Sequence, residues 1–212
     1  MHLPDDTSLT ETGLPASGRG RNLLLACGAL AREVLALIAL NKWDHYDLHC
    51  LPAKLHNRPD QIADAVEQAV ARHGGAYDDI FVLYADCGTG GRLAATCDRL
   101  GLQMLAGPHC YSFFDGNEDF AARGEVTSFY LTDFLARQFD SLVWRPLGLD
   151  RHPELREAYF GNYEKLVYLA QTEDPGLTAR AEAAARRLGL IFERRFTGYG
   201  DLAEALRNHA SA

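Results

Sequence analysis

The sequence predicts an α/β fold: a doubly wound, mostly parallel sheet of about six strands with a helical insertion. Three observations point there. Short, wholly apolar runs recur along the chain, amphipathic helical stretches alternate with them, and glycines mark the joints between the two. The first residues, 1–20, are polar and read as a flexible tail, and residues 21–212 as one domain. NLLLACGAL, from Asn22, is a buried first strand ended by a Cys-Gly pair, and Ala29–Asn41 has helical spacing with Arg32 and Glu33 on its polar side. YDLHCLPA, from Tyr46, is a second strand stopped by Pro52. Pro59 and Asp60 open the next helix, which closes on Gly74 and Gly75. DDIFVLYADC is a third strand, GGRLAATCDRLG a helix and LQMLAG a short fourth strand. Residues 111–162 carry aromatics and leucines at helical spacing and read as a helical insertion or lid. KLVYLAQT and LIFERRF are two further strands around the alanine-rich helix TARAEAAARRLG, and DLAEALRNH is a last helix.

Composition narrows the function classes. A formal charge of -8 and a pI near 5.4 argue against a broad nucleic-acid footprint, which needs clustered Lys and Arg. Arg186, Arg187, Arg194 and Arg195 come nearest to a basic patch and read as a solvated helix face and strand end. No apolar run approaches the roughly 20 residues of a membrane span, and the N-terminus has no signal-like apolar core, so a cytoplasmic protein with no membrane partner is expected. In that compartment the five cysteines read as free thiols or metal ligands. The G-x-S-x-G elbow and the H-E-x-x-H pair are both missing, which removes the common serine-hydrolase and zinc-protease signatures.

Ligands of an open parallel sheet bind beyond the carboxyl ends of its strands. Four successive loops there carry reactive groups: Cys27 after the first strand, Lys54-Leu55-His56-Asn57 after the second, Cys87 after the third, and His109 with Cys110 after the fourth. With strand order 2-1-3-4-5, Cys27, Cys87 and Cys110 fall on neighbouring loops within roughly 10 Å of sheet edge. They are therefore the candidate metal ligands, for zinc or for an iron-sulfur cluster, although a small cysteine at a strand end also serves as a plain buried hydrophobe. Cys50 and Cys97, inside a strand and a helix, read as such hydrophobes. His56 and His109 are the candidate catalytic acid/base groups or a fourth ligand. Gly88, Gly90 and Gly91 are suited to an anion-binding nest that, with Asn57, would hold substrate, or simply to a tight strand-to-helix turn. Asp133 and Glu118 read as solvated helix carboxylates, and Tyr159, Phe160 and Tyr163 as an aromatic core cluster.

The segments LLLACGALAREV, LPAKLHNRPDQI, YADCGTGGRL, AGPHCYSFF, FYLTDFLARQFD, HPELREAYFGNY, YLAQTEDP and FTGYGDL together resemble the family of unknown function DUF1638, over nearly the whole chain after the tail. The resemblance implies a single domain and a setting beside corrinoid-dependent methyltransferases, hence a corrinoid protein or methyltransferase as partner. It supplies no catalytic residue. The leading expectation is a metal-dependent enzyme in which Cys27, Cys87 and Cys110 hold zinc and activate a small anionic or thiol substrate, with methyl transfer in one-carbon metabolism as the chemistry. Its rivals are an open three-cysteine iron-sulfur enzyme, a corrinoid- or folate-binding accessory protein, and a metal-free enzyme with Cys87 as nucleophile.

Overall fold

The computed structural model of the chain describes residues 4–211. NLLLAC forms strand β1 (Asn22–Cys27), in which Leu23, Leu24, Leu25 and Ala26 are completely buried. Consecutive residues bury in this way only in a strand covered on both faces. β2 (Tyr46–Leu51) and β3 (Asp79–Leu83) flank it, and the two-residue β4 (Gln103–Met104) completes a parallel sheet of order β2-β1-β3-β4. Helices α1 (Asp6–Glu11), α2 (Ala31–Asn41), α3 (Ile62–His73) and α4 (Arg92–Leu100) belong to the same compact unit, which takes in the residues up to 110 and those from 203 on. α3 buries Ile62, Ala63, Val66 and Ala69, a stripe one turn apart, and α4 buries Leu93 and Cys97 in the same fashion. Cys97 is thus a core residue. α4 stops at Gly101, whose φ of +68° a side chain would disfavour.

Residues 111–202 form the second unit. Its helices are α5 (Ser112–Asp115), α6 (Asn117–Arg123), α7 (Asp133–Phe139, followed by a π turn), α8 (Leu155–Phe160) and α9 (Pro175–Leu188), while α10 (Gly200–Ala210) starts here and ends in the first unit. Its parallel sheet has the order β5-β6-β7, with β5 at Ser128–Leu131, β6 at Lys165–Ala170 and β7 at Ile191–Phe196. Asp174 caps α9 by accepting from the Gly176 and Leu177 N–H groups, Pro175 fills the first turn, and Gly189 closes it at φ +74°. Leu177, Ala181, Ala184, Ala185 and Leu188 are the buried stripe.

The α/β class and the parallel strands are as the sequence predicts. The strands are divided, however, between a four-stranded and a three-stranded sheet rather than gathered in one of about six. The difference lies in residues 111–162, expected to be helical throughout, where Ser128–Leu131 form β5 and found the second sheet. Four residues between helices are too few for a period of two to stand out. The chain falls into two compact units, the first of residues up to 110 and from 203 on and the second of residues 111–202.

The tail expectation also needs correction for residues 4–20, residues 1–3 lying outside the described ones. Asp5 caps α1, Leu9 is completely buried, and Leu14 exchanges backbone hydrogen bonds of 2.9 and 2.8 Å with Cys50, covering the outer edge of β2. Gly13 is required there, because a Cβ would meet the Cys50 oxygen at 2.0 Å. The Asp47 carboxylate then accepts from Ser17 N–H, Ser17 Oγ, Gly18 N–H and Tyr77 Oη. Burial opposes its charge, yet these donors outweigh burial and hold its pKa below the ordinary value.

Other charged and aromatic expectations resolve within the second unit. Arg186 pairs with Glu182, Arg187 with Asp140, Arg194 with Glu173, and Arg195 with Asp115, Glu125 and Glu193. Phe160 is core, its ring 5.2 Å from Phe129, whereas Tyr159 is exposed. Asp133, expected on a solvated face, is instead 1% exposed. No helix among the described residues is long and apolar enough to cross a membrane.

Candidate functional site

The carboxyl end of the first sheet gathers sulfur. Cys27 is the last residue of β1 and buried; the chain then enters a tight turn at Gly28, where a Cβ would meet the Leu9 oxygen at 2.4 Å. Cys87 follows β3 and Cys110 follows β4, and their Sγ atoms are 3.1 Å apart. Backbone bonds of 3.0 Å from Asp86 N–H to Gly107 O and from Cys87 N–H to Pro108 O tie the two segments together. The neighbouring-strand order 2-1-3-4 makes this meeting possible.

Cys87 adopts φ +48°, a left-handed conformation that costs a residue with a Cβ about 1 kcal/mol. The thiol of Cys110, donating to it, is the main cause holding the Cys87 pKa below the ordinary thiol value; the N–H groups of Cys110 and Ala85 help, against burial and the Asp86 charge. Cys110 is pushed well above, first by its bond to Cys87 and then by burial. The contact thus favours the ionised form at Cys87 and the protonated form at Cys110. Burial pushes Cys27 up to about 12, and it raises Cys50 as well.

Tyr84, just past β3, completes the cluster. It is 1% exposed, and its hydroxyl finds no hydrogen-bond partner. Burial and then the charges of Cys27, Cys110, Cys50 and Cys87 push its pKa well up. It leans toward Cys27 without reaching full hydrogen-bond geometry. An unpaired buried hydroxyl costs about 1–3 kcal/mol and calls for an explanation. Sequence reasoning missed both Tyr84 and the place of Cys50. The signal for Cys50 was present, since it pairs in register with Ala26, next to Cys27.

The expected glycine nest forms, but the chain fills it. Gly88, Gly90 and Gly91 all have positive φ, and the Asp86 carboxylate accepts from Gly91 N–H at 2.7 Å, Gly90 N–H at 3.2 Å and Thr89 Oγ1 at 2.7 Å. These donors lower its pKa, Gly91 most. The N–H groups of Gly90 and Gly91 assigned to substrate are therefore spent on an internal anion. An aspartate opening a glycine turn is the signal that could have foretold it.

His56 and His109 come near each other. His56 belongs to an exposed residue of the 3-10 turn Ala53–Asn57, yet its imidazole is hemmed in; this desolvation, followed by the charge of His109, lowers its pKa. Desolvation also lowers His109, against the Asp86 charge. Both rings are biased toward the neutral form. Asn57 lies at the exposed end of the same turn.

Among the described residues, no three or more His, Cys, Asp or Glu side chains are assembled to hold a metal ion. Two thiolates on one tetrahedral zinc stand about 3.8 Å apart, given bonds of about 2.3 Å, and a disulfide needs about 2.04 Å. At 3.1 Å the Cys87–Cys110 pair lies between the two.

Fold and site define an α/β protein with a buried thiol cluster at the carboxyl edge of a parallel sheet. Residues 50–206 match the family model described as a protein of unknown function (DUF1638), and the chain belongs to that family. The match takes in Tyr84, Cys87 and Cys110 and leaves Cys27 outside it. No curated protein and no solved structure matches the chain significantly.

Proposed function

We propose that the protein is a thiol-dependent enzyme in which the Cys87 thiolate attacks a small electrophile and Cys110 holds the proton passed to the leaving group. The observation that carries this reading is the 3.1 Å contact in which Cys110 stabilises charge on Cys87. The enclosure of Cys87, 7% exposed, favours a small substrate. Methyl transfer is the chemistry that the family's setting suggests, the methyl carbon moving to sulfur as its leaving group departs. The anionic handle expected at the glycine turn loses its support, because Asp86 occupies those donors. Iodoacetamide at neutral pH on chelator-treated native protein tests the proposal: Cys87 should be alkylated well ahead of Cys50 and Cys97, and equal rates would remove it.

A metal-dependent enzyme is the second reading, favoured by one observation, the unpaired Tyr84 hydroxyl on whose pKa four cysteines act. Cys27, Cys87 and Cys110 would hold zinc or an open iron-sulfur cluster, with His56 or His109 as acid/base. Such an ion would require Cys87 and Cys110 to part by about 0.7 Å. Elemental analysis of protein purified without oxygen decides it, a brown colour distinguishing iron-sulfur from zinc. Protein free of stoichiometric metal would end this reading.

A further inference from the structure

Cys87 and Cys110 have the geometry of two sulfurs about to bond. Their separation of 3.1 Å must shrink by roughly 1 Å to reach a disulfide. Their surroundings allow it. Cys87 enters a turn containing Gly88, Gly90 and Gly91, two of which have no heavy atom within 4 Å of a Cβ position. Residues 105–111, which carry Cys110, contain no helix or strand, so a shift there breaks no ladder. The two backbone bonds between these segments keep the sulfurs in register as they close.

We propose that Cys87 and Cys110 form a reversible dithiol–disulfide couple, closed by a small hydroperoxide that reacts first at Cys87. The couple rests on Cys87 being the nucleophile of the site. The order of attack follows from the proposed nucleophile, Cys87, whose sulfur lies 3.1 Å from the Cys110 sulfur that resolves it. The oxidant class follows from access: Cys87 is 7% exposed and Cys110 only partly exposed, which favours a small peroxide over a bulky protein disulfide. In the first step the Cys87 sulfur attacks the terminal oxygen of the hydroperoxide, the O–O bond breaks, and the departing alkoxide takes a proton from water. Cys87 becomes a sulfenic acid and the peroxide is reduced to an alcohol. In the second step Cys110 sulfur attacks Cys87 sulfur, the S–O bond breaks, and the hydroxyl leaves as water with the Cys110 thiol proton. Two electrons have passed from the two thiols to the peroxide. A small dithiol reductant restores the pair.

The test treats chelator-washed native protein with stoichiometric hydrogen peroxide, blocks remaining thiols and maps the peptides by mass spectrometry. The expected product links Cys87 to Cys110, and dithiothreitol returns it to two free thiols. Dimedone should trap a sulfenic acid at Cys87 in Cys110→Ser. A linkage of Cys87 to Cys27, a sulfinic acid at Cys87 without cross-link, or a dimedone adduct at Cys110 in Cys87→Ser would each overturn the proposal. The underlying nucleophile is judged separately: rapid alkylation of Cys87 without cross-linking removes the couple alone, and slow alkylation without cross-linking removes both.

Discussion

The carboxyl edges of the two sheets solve the same problem in opposite ways. Beyond the second sheet, buried Asp133 accepts from Tyr168 Oη at 2.7 Å, Gln171 N–H at 3.0 Å and Thr172 Oγ1, while its own N–H donates to Gln171 Oε1 at 2.7 Å. Each of these donors is matched to an acceptor. Beyond the first sheet, a tyrosine equally buried has an unpaired hydroxyl, a cysteine holds a positive φ, and one thiol has its pKa lowered while its neighbour's is raised. Strain and unsatisfied polar groups persist only where the surroundings enforce them, and they concentrate where chemistry is done. On the proposed reading, Asp133 does structural work and Cys87 reactive work.

The largest effect should come from the satisfied edge. Asp133→Ala strands the buried Tyr168 and Gln171 donors and should cost about 3 kcal/mol or more in denaturant unfolding. Alkylation of Cys87 under native conditions should be unchanged, and a parallel loss of reactivity would break the division of labour. A smaller and more telling effect separates the two tyrosines. Tyr168→Phe removes a bond to a carboxylate and should destabilise by about 1.5 kcal/mol, whereas Tyr84→Phe removes an unpaired hydroxyl and should stabilise the metal-free protein by about 1 kcal/mol. Equal losses from both would show that the Tyr84 hydroxyl is satisfied in solution.

The smallest effect is on pH. The alkylation rate of Cys87 rises with pH as its thiol ionises, and its half-maximal point should lie below that of an ordinary thiol, because Cys110 favours the ionised form. Cys110→Ala removes that donor, so the midpoint should move upward toward the ordinary range. A midpoint that stays put would assign the activation to the backbone N–H groups instead. Comparison with Cys97→Ala, a core substitution on α4, controls for general loosening.

The apolar runs at Asn22–Cys27 and Lys165–Ala170 and the capped helix Pro175–Leu188 were legible because their signals are local: buried period, cap and closing glycine lie within one element. β5 was not, because its four residues carry no period of their own and become a strand by pairing with β6. The docking of residues 4–20 was hidden too, since Leu14 owes its place to Cys50, which lies 36 positions on along the sequence. At the site, the sequence placed Cys27, Cys87 and Cys110 on adjoining loops of one edge. It misjudged what surrounds them: Asp86 filling the glycine turn, Tyr84 unpaired, and Cys50 within the cluster.

The sequence alone determined the α/β class, the parallel strands and the edge on which reactive groups would gather, because these follow from periodicity and from the direction of a parallel strand. The tertiary structure decided the rest: two sheets in place of one, an occupied anion nest, and a pair of cysteine sulfurs at 3.1 Å. Strand pairing, hydrogen-bond satisfaction and the ionisation of a thiol all depend on groups that the fold brings together from distant positions, and no local pattern records that distance.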